Sequence, residues 1–177
     1  VIIQKGGFKM SATGGAGTEF TMIEIRNITV TGSSTSAGAL QFTYVDYSII
    51  ENCRINNSGA GGSIRFINSE FNIVRSCYLE GAYGFYLESN SRYNQIINNY
   101  YYKASGGSRA IRLVDSGSKH NVISGNYISG WPGAIDINTT GYNVVSNNIL
   151  VNQTGGAGGP GAIALENTSS NNQIVGN

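Results

Sequence analysis

Charged and aromatic side chains occupy one repeated position in this chain, the middle of a short apolar-x-apolar triplet. In chain order the six middle residues are Gln41, Arg65, Tyr86, Arg112, Asp136 and Ala164. Arginine pairs with carboxylates such as those of an acidic sugar, tyrosine packs on a sugar ring, and aspartate acts as an acid or a base. We therefore predict that Asp136 and Arg112 are catalytic and that Arg65 and Tyr86 bind substrate.

Glu88 is the third candidate catalytic residue, because it follows Tyr86 by two positions and so points to the same side of a strand. Hydrolysis of a glycosidic bond uses two carboxyl groups, about 5 to 5.5 Å apart for retention or about 6.5 to 9.5 Å apart for inversion. Glu88 and Asp136 lie two triplets apart, which is roughly 10 Å if the triplets stack as neighbouring strands. The alternative is that Arg112 and Asp136 form only a surface salt bridge, worth about 0 to 1 kcal/mol.

A second repeated position is rich in tyrosine and contains Tyr78, Tyr100 and Tyr127. These three residues are predicted to bind substrate as a strip of stacked rings. Two alternatives remain open: the strip forms a protein interface, for which tyrosine is favoured, or it stabilises the sheet without any ligand.

The lone histidine and the two cysteines are the remaining reactive side chains. His120 follows a polar turn and is either a catalytic acid or base or a turn residue. Cys53 and Cys77 occupy the same repeat position, so they are either close enough for a disulfide or small buried residues in an interior column. One histidine and two cysteines do not make a structural zinc site, and we predict no metal or cofactor.

Stacked coils are the elements that would align these side chains. The triplets begin at Leu40, Ile64, Phe85, Ile111, Ile135 and Ile163, with spacings of 24, 21, 26, 24 and 28 residues. A second apolar block precedes the first triplet and follows each of the six triplets, and the central residues of these seven blocks are Ile25, Ile50, Val74, Ile96, Ile123, Val145 and Ile174. A repeat of this length with period-two strands is typical of a solenoid. We predict an all-β, single-stranded parallel β-helix of about seven coils.

Asparagine recurs two residues before and three residues after the centre of the second block. The first column contains Ser48, Asn72, Asn94, Asn121, Asn143 and Asn172, and the second contains Cys53, Cys77, Asn99, Asn126, Asn148 and Asn177. Asparagine tolerates left-handed backbone geometry, and its amide can hydrogen-bond to the same residue one coil away. Both columns therefore predict bends of the coil.

Composition supports one domain over residues 1–177, with repeats from about 22 to 177 and an irregular region or first coil in 1–21. The chain has 25 Gly, 2 Pro and 12 % charged residues, as expected for a sheet-rich and turn-rich solenoid. A net charge of +1 without a basic run argues against nucleic acid as a partner. The apolar runs are too short for membrane insertion. The missing initiator Met and the ending at Asn177 within a repeat predict a segment of a longer protein.

The repeat resembles the right-handed parallel β-helix of the pectate-lyase-like superfamily over residues 22 to 177. The resemblance is carried by Gly84–Leu87 with Asn94–Ile96, by Ala110–Leu113 with Asn121–Asn126, and by Ala162–Leu165 with Asn172–Asn177. It implies an extracellular, virion-associated or periplasmic protein that binds a polysaccharide along its outer face. The members that it resembles include lyases, glycoside hydrolases and trimeric tailspikes, so both cleavage and a homotrimer are expectations of this resemblance.

The chain departs from the enzymes of this superfamily in its motifs. It has no cluster of aspartates at consecutive outward positions, no Gly-His-Gly motif and no Asp-Pro-His motif. If it is an enzyme, a polysaccharide lyase or a glycoside hydrolase is expected. The alternatives are a non-catalytic structural or adhesive rod and a periplasmic accessory protein.

Overall fold

The computed structural model of the protein describes residues 2–4, 8–11, 20–33, 38–103, 108–153 and 162–177. These residues form strands and turns and no helix. In chain order the strands are β1 (Ile2–Gln4), β2 (Phe8–Ser11), β3 (Phe20–Thr21), β4 (Glu24–Arg26), β5 (Thr29–Gly32), β6 (Leu40–Thr43), β7 (Val45–Asp46), β8 (Ile49–Glu51), β9 (Arg54–Asn57), β10 (Gly62–Ile67), β11 (Ile73–Arg75), β12 (Tyr78–Glu80), β13 (Tyr83–Glu88), β14 (Gln95–Ile97), β15 (Tyr100–Tyr102), β16 (Arg109–Val114), β17 (Val122–Ser124), β18 (Tyr127–Ser129), β19 (Gly133–Asn138), β20 (Val144–Ser146), β21 (Ile149–Val151), β22 (Ile163–Glu166) and β23 (Gln173–Val175).

Most of these strands build three parallel sheets of seven strands each. Sheet 1 has the order β1-β5-β9-β12-β15-β18-β21, sheet 2 the order β2-β6-β10-β13-β16-β19-β22, and sheet 3 the order β4-β8-β11-β14-β17-β20-β23. The chain visits sheets 3, 1 and 2 in turn, which confirms the predicted parallel β-helix. Five regular turns run from β8 to β22, fewer than the seven coils predicted. On the N-terminal side of these turns the sheets are extended by β1, β2, β4, β5 and β6, and on the C-terminal side only sheet 3 is extended, by β23.

Residues 1–21, expected to be irregular or a first coil, contribute three strands. Strand β1 belongs to sheet 1 and β2 to sheet 2, while β3 pairs with β7 in a separate two-stranded sheet. The rest of that segment lies outside the described residues. Within the described part of the chain, no helix is long and apolar enough to cross a membrane.

The core is a stack of inward columns, one or two from each sheet. Ile50, Val74 and Ile96 from sheet 3 are at most 2 % exposed, as are Ile55 and Leu79 from sheet 1. Because each short strand alternates its side chains, one or two residues of each strand face inward and the neighbours of those residues face out. No coil buries its apolar side alone, so stability comes from stacking each coil on its neighbours.

Sheet 1 carries one oversized core residue. Tyr101 is fully buried in a column that elsewhere contains Val30, Ile55, Leu79 and Ile128. Gly84 makes room for it, since a Cβ on Gly84 would lie 2.5 Å from the Tyr101 ring. Among the described residues the Tyr101 hydroxyl has no hydrogen-bond partner.

Two ladders of asparagine amides connect the coils at the corners on either side of sheet 3. In the first, Asn94 N donates to Asn121 Oδ1 over 2.9 Å and Asn121 N donates to Asn143 Oδ1 over 2.9 Å. In the second, Asn99 N donates to Asn126 Oδ1 over 3.0 Å. The predicted bonds from coil to coil are therefore present.

The left-handed conformation expected of these asparagines belongs instead to the residue before each of them. At the second corner those residues include Asn52 (φ 53°), Asn98 (φ 55°) and Gly125 (φ 68°). At the first corner they include Phe71 (φ 57°) and Tyr93 (φ 57°). The preceding residue makes the bend, and the bend turns the following asparagine inward, where its amide is buried and hydrogen-bonded.

Candidate functional site

Parallel pairing in sheet 2 aligns the middle residues of the triplets in one outward row. Arg65 pairs with Gln41 and Tyr86, Arg112 pairs with Tyr86 and Asp136, and Asp136 pairs with Ala164. This row, together with the flanking outward side chains, forms the sheet 2 cluster, which consists of Arg65, Tyr86, Glu88, Arg109, Arg112, Asp136 and Glu166. Side chains from five successive coils thus meet on one face.

Asp136 and Arg112 are joined directly, because Arg112 Nε donates to Asp136 Oδ2 over 2.9 Å. The Arg109 Nε atom lies 3.8 Å from the same oxygen, so two guanidinium groups face one carboxylate. Arg109 was not among the predicted residues. It extends over the next coil because its strand partner there is Gly133, where a Cβ would lie 2.9 Å from Arg109 Cδ. A glycine opposite a long side chain was the sequence feature that could have identified it.

Asp136 is outward-facing yet buried, unlike the exposed residue that the row predicts. Its side chain is only 2 % exposed, and among the described residues its Oδ1 atom accepts no hydrogen bond. Burial raises the pKa of the Asp136 carboxyl, the nearby Glu166 raises it further, and Arg112 and Arg109 oppose both effects. A buried carboxylate with one unused oxygen differs from a simple surface salt bridge.

Glu88 and Asp136 do not form a pair, although both were predicted to be catalytic. Glu88 Oε1 accepts a hydrogen bond from Arg65 Nε over 2.9 Å, two coils below Asp136. Arg109 lies close to a second carboxylate besides Asp136, that of Glu166, whose Oε1 atom is 4.0 Å from Arg109 Nη2. Glu166 was also not among the predicted site residues.

Tyr86 lies between two arginines of its neighbouring coils. The guanidinium carbons of Arg65 and Arg112 are each 5.7 Å from the centre of its ring. Burial raises the pKa of the Tyr86 hydroxyl, so the hydroxyl stays protonated at neutral pH and can donate a hydrogen bond. The tyrosine connects the two ion pairs on its flanks into one continuous polar surface.

The predicted tyrosine strip is present on sheet 1. Tyr78 and Tyr100 stack with ring centres 5.4 Å apart, and Tyr100 and Tyr127 stack with ring centres 4.9 Å apart. Arg54 covers the free face of Tyr78, with its guanidinium carbon 4.6 Å from the ring centre. Because most ring faces are already covered, the strip presents ring edges to solvent. A sugar therefore has little ring face to pack on, and this geometry favours a role in stabilising the sheet.

A longer stack of rings, the corner stack, lies at the corner before sheet 3 and consists of Tyr47, Phe71, Tyr93, His120 and Tyr142. Successive ring centres are 4.9, 4.9, 5.1 and 5.4 Å apart. His120 is a turn residue with both faces of its imidazole covered by tyrosines. His120 is not a member of the sheet 2 cluster, which contains the candidate catalytic carboxylates of Glu88 and Asp136.

Cys53 and Cys77 take the place of two asparagines in the second ladder. Each asparagine of that ladder donates from Nδ2 to a carbonyl one coil below, as Asn99 does to Val74 O over 2.9 Å. The Cys77 thiol is 3.7 Å from Ile50 O and the Cys53 thiol is 3.6 Å from Ile25 O, in the equivalent positions. Both thiols are free and buried. The hydrogen bond to Cys53, together with burial, raises the pKa of Cys77, which therefore remains a thiol.

Replacing Cys77 by Asn should stabilise the protein by about 1 kcal/mol, because an amide makes stronger hydrogen bonds than a thiol in the same position. Cys77→Val, which keeps the buried volume and removes the hydrogen bond, is the matched control and should be less stable than the parent. Urea unfolding followed by circular dichroism measures both. An Asn variant less stable than the Val variant would contradict the assignment of Cys77 to the ladder.

The pH dependence of stability should differ between the parent and Asp136→Asn. The folded protein holds the Asp136 proton more tightly than the unfolded chain does. The stability that this provides is complete below the ordinary aspartate pKa of about 4 and is lost as the pH rises through the raised pKa. The parent should therefore lose stability relative to Asp136→Asn as the pH rises from about 4 towards neutrality. Urea midpoints across that range measure the difference, and an opposite trend would contradict the raised pKa.

No protein-family model and no curated protein gives a significant match to this chain. Within the described residues, no group of three or more histidine, cysteine, aspartate or glutamate side chains could hold a metal ion.

Proposed function

We propose that this protein binds an extended polysaccharide across the outer face of sheet 2. The observation that carries the proposal is the arrangement of Arg112, Asp136 and Arg109, in which two cations surround a buried, partly unused carboxylate on an outward row. Perturbed titratable groups of this kind concentrate at functional sites. Such a ligand is expected for a protein at a cell or virion surface or in the periplasm.

The regular spacing of the sheet matches a polymer. Neighbouring strands are about 4.8 Å apart, so the outward row places a polar or aromatic group at that interval along the rod. Arg65 and Arg112 keep 25 % and 28 % of their side chains exposed, within reach of a ligand oxygen. Tyr86 lies between them with a protonated hydroxyl. Together they offer hydrogen-bond donors on three consecutive coils.

The geometry supports binding better than cleavage. A general acid or base must contact the atom whose proton it transfers, and the Asp136 carboxyl lies beneath the two guanidinium groups. We assign Asp136 the role of a positioning residue that fixes Arg112 and Arg109. Glu88, bound to Arg65, has the same role further along the row.

The direct test is affinity electrophoresis of the protein in gels that contain acidic or neutral polysaccharides, with reducing ends and unsaturated products followed in parallel. At least one polymer should retard the parent. Arg112→Gln should weaken that binding by about tenfold or more, since a charge-assisted hydrogen bond contributes about 1.5 to 3 kcal/mol.

Arg75→Gln is the matched control, because Arg75 lies on sheet 3 and also pairs with a glutamate, Glu51, at 2.7 Å. It should leave retardation unchanged. The proposal would be contradicted if a polymer retarded the parent and Arg112→Gln equally. It would also be contradicted if none of the polymers retarded the parent. Steady release of reducing ends that Asp136→Asn abolishes would instead make the site catalytic.

A second candidate is a non-catalytic rod that associates through the corner stack. Tyr47 and Tyr142 of this stack are 58 % and 50 % exposed, and they belong to one continuous aromatic surface rather than to scattered side chains. Sedimentation of the parent and of Phe71→Asn, which suits the left-handed backbone there, distinguishes this role. A trimer that dissociates in the variant would favour it.

A further inference from the structure

A polar groove lies at the corner that joins sheet 2 to sheet 3, next to the sheet 2 cluster. Its volume is about 120 Å³, and its walls include Ser116, Lys119, Thr140, Tyr142, Thr168 and Ser170. Three successive turns contribute these residues, most of which carry aliphatic hydroxyl groups. Ligand pockets that enclose a drug-sized molecule usually measure about 300 to 1,000 Å³, so this groove is too small to enclose a whole oligosaccharide. It fits one edge of a sugar.

Lys119 supplies an uncompensated positive charge to this groove. Within the described part of the chain, no carboxylate lies within salt-bridge distance of its ammonium group, which is 5.8 Å from the centre of the Tyr142 ring. The nearest acid in sequence, Asp115, is committed to its own turn, where Oδ1 accepts hydrogen bonds from Gly117 N and Ser118 N. An ammonium group among hydroxyls is suited to an anionic oxygen.

Tyr142 supplies a ring face. It is the last ring of the corner stack, with His120 on one side at 5.4 Å and the non-aromatic Asn171 at the equivalent position of the next coil. Within the described residues, only one face of Tyr142 is therefore covered by another ring. Tyr142 is 50 % exposed, and an exposed tyrosine ring can pack against the apolar face of a sugar.

We propose that this groove binds the carboxylate-bearing or sulfate-bearing edge of one sugar unit, so that the polysaccharide bound by the protein is anionic. The inference rests on the proposed binding of a polysaccharide by sheet 2. Lys119 pairs with the anionic group, Ser116 and Thr168 offer hydroxyls to the neighbouring ring oxygens, and Tyr142 packs on the ring.

The groove continues the sheet 2 surface. Thr139, which also lines it, donates from Oγ1 to Asn138 Oδ1 over 2.8 Å, and Asn138 Nδ2 donates to Glu166 Oε2 over 2.9 Å. Glu166 in turn lies beside Arg109. A polysaccharide that crosses sheet 2 at Arg112 would therefore place another of its sugar units in the groove.

Backbone amide shifts of the labelled protein test this site directly. We expect D-glucuronate and glucose 6-sulfate to shift the amides of Lys119, Gly141 and Tyr142, and D-glucose and acetate to shift them much less. Lys119→Gln should weaken glucuronate binding by about tenfold, as loss of a charged hydrogen-bond partner does. Lys103→Gln, which changes a lysine just beyond the end of β15, is the matched control and should bind like the parent.

The outcomes separate this inference from the function on which it rests. Equal shifts with acetate would overturn the assignment to a sugar. Suppose that glucuronate causes no shifts, or causes the same shifts in Lys119→Gln, while Arg112→Gln still weakens polymer binding. That result would overturn the assignment of the groove as a sugar site and would leave the sheet 2 proposal standing. If glucuronate shifts the amides of the groove but Arg112→Gln binds the polymer as well as the parent does, the groove is supported as a sugar site and the sheet 2 proposal is overturned.

Discussion

Replacing Ile135 by Asp should unfold several coils of the protein. Ile135 is fully buried and pairs with Ile111 on one side and Ile163 on the other, so the new carboxylate would have no polar partner. Burying a charge without a partner costs several kcal/mol, and we expect a loss of about 4 kcal/mol or more. Each coil is supported only by its neighbours, so the damage should spread along the rod.

Ile149→Asp is the control for this prediction. Ile149 has the same side chain and also lies on a strand, but it faces outward and is 59 % exposed. The free energy of unfolding from urea titrations should change by no more than about 0.5 kcal/mol in this variant. If Ile135→Asp instead unfolded at the same urea concentration as the parent, the assignment of inward and outward columns would be wrong.

Replacing Asn121 by Ala should destabilise the protein by about 3 kcal/mol or more. Asn121 Oδ1 accepts from Asn94 N at 2.9 Å, and Asn121 Nδ2 donates to Ser91 O at 3.0 Å. The substitution leaves these buried groups unpaired, and each unpaired group costs about 1 to 3 kcal/mol. Because the ladder runs from coil to coil, one missing amide also interrupts the bonds above and below it.

Gln95→Ala is the comparison variant, since Gln95 follows Asn94 directly and its side chain is exposed on sheet 3. Its unfolding free energy should stay close to that of the parent. Similar losses for Asn121→Ala and Gln95→Ala would mean that buried amides contribute no more than exposed ones, which contradicts the role of the ladder.

The outward row of sheet 2 could be predicted from the sequence because a strand period of two leaves little choice. Once Ile111 and Leu113 are inside, Arg112 must face out, and parallel stacking places it beside Tyr86 and Asp136. Strand alternation and parallel stacking also predict that the residues of the tyrosine strip of sheet 1 lie beside one another. Register follows from the apolar columns alone, without knowledge of any loop.

The burial of Asp136 could not be predicted in this way. It depends on how far Arg109 and Arg112 extend over the neighbouring coil, and side-chain direction is set by packing rather than by spacing. Gly133 allows Arg109 to take this path. The column pattern therefore placed Asp136 correctly on the outer face and missed two residues beside it, Arg109 and Glu166.

The corner stack could not be predicted from the sequence, because its aromatic residues have a left-handed backbone conformation that aromatic residues rarely adopt. Left-handed backbone favours Asn and Gly, and the second corner follows this preference with Asn52, Asn98 and Gly125. The first corner has Phe71 and Tyr93 in the same conformation. Each stacked aromatic pair contributes about 0.5 to 1.5 kcal/mol, which is comparable to the cost of the strained backbone. Only the stacked structure reveals that compensation.

A crystal structure of the protein with an oligosaccharide of the polymer that retards it would test the central claim most directly. The account predicts sugar units along sheet 2, with hydrogen bonds from Arg112 and contact with Tyr86, while Asp136 keeps its bond to Arg112. A ligand bound instead along sheet 3 or on the tyrosine strip of sheet 1, with the sheet 2 cluster free of sugar, would contradict it.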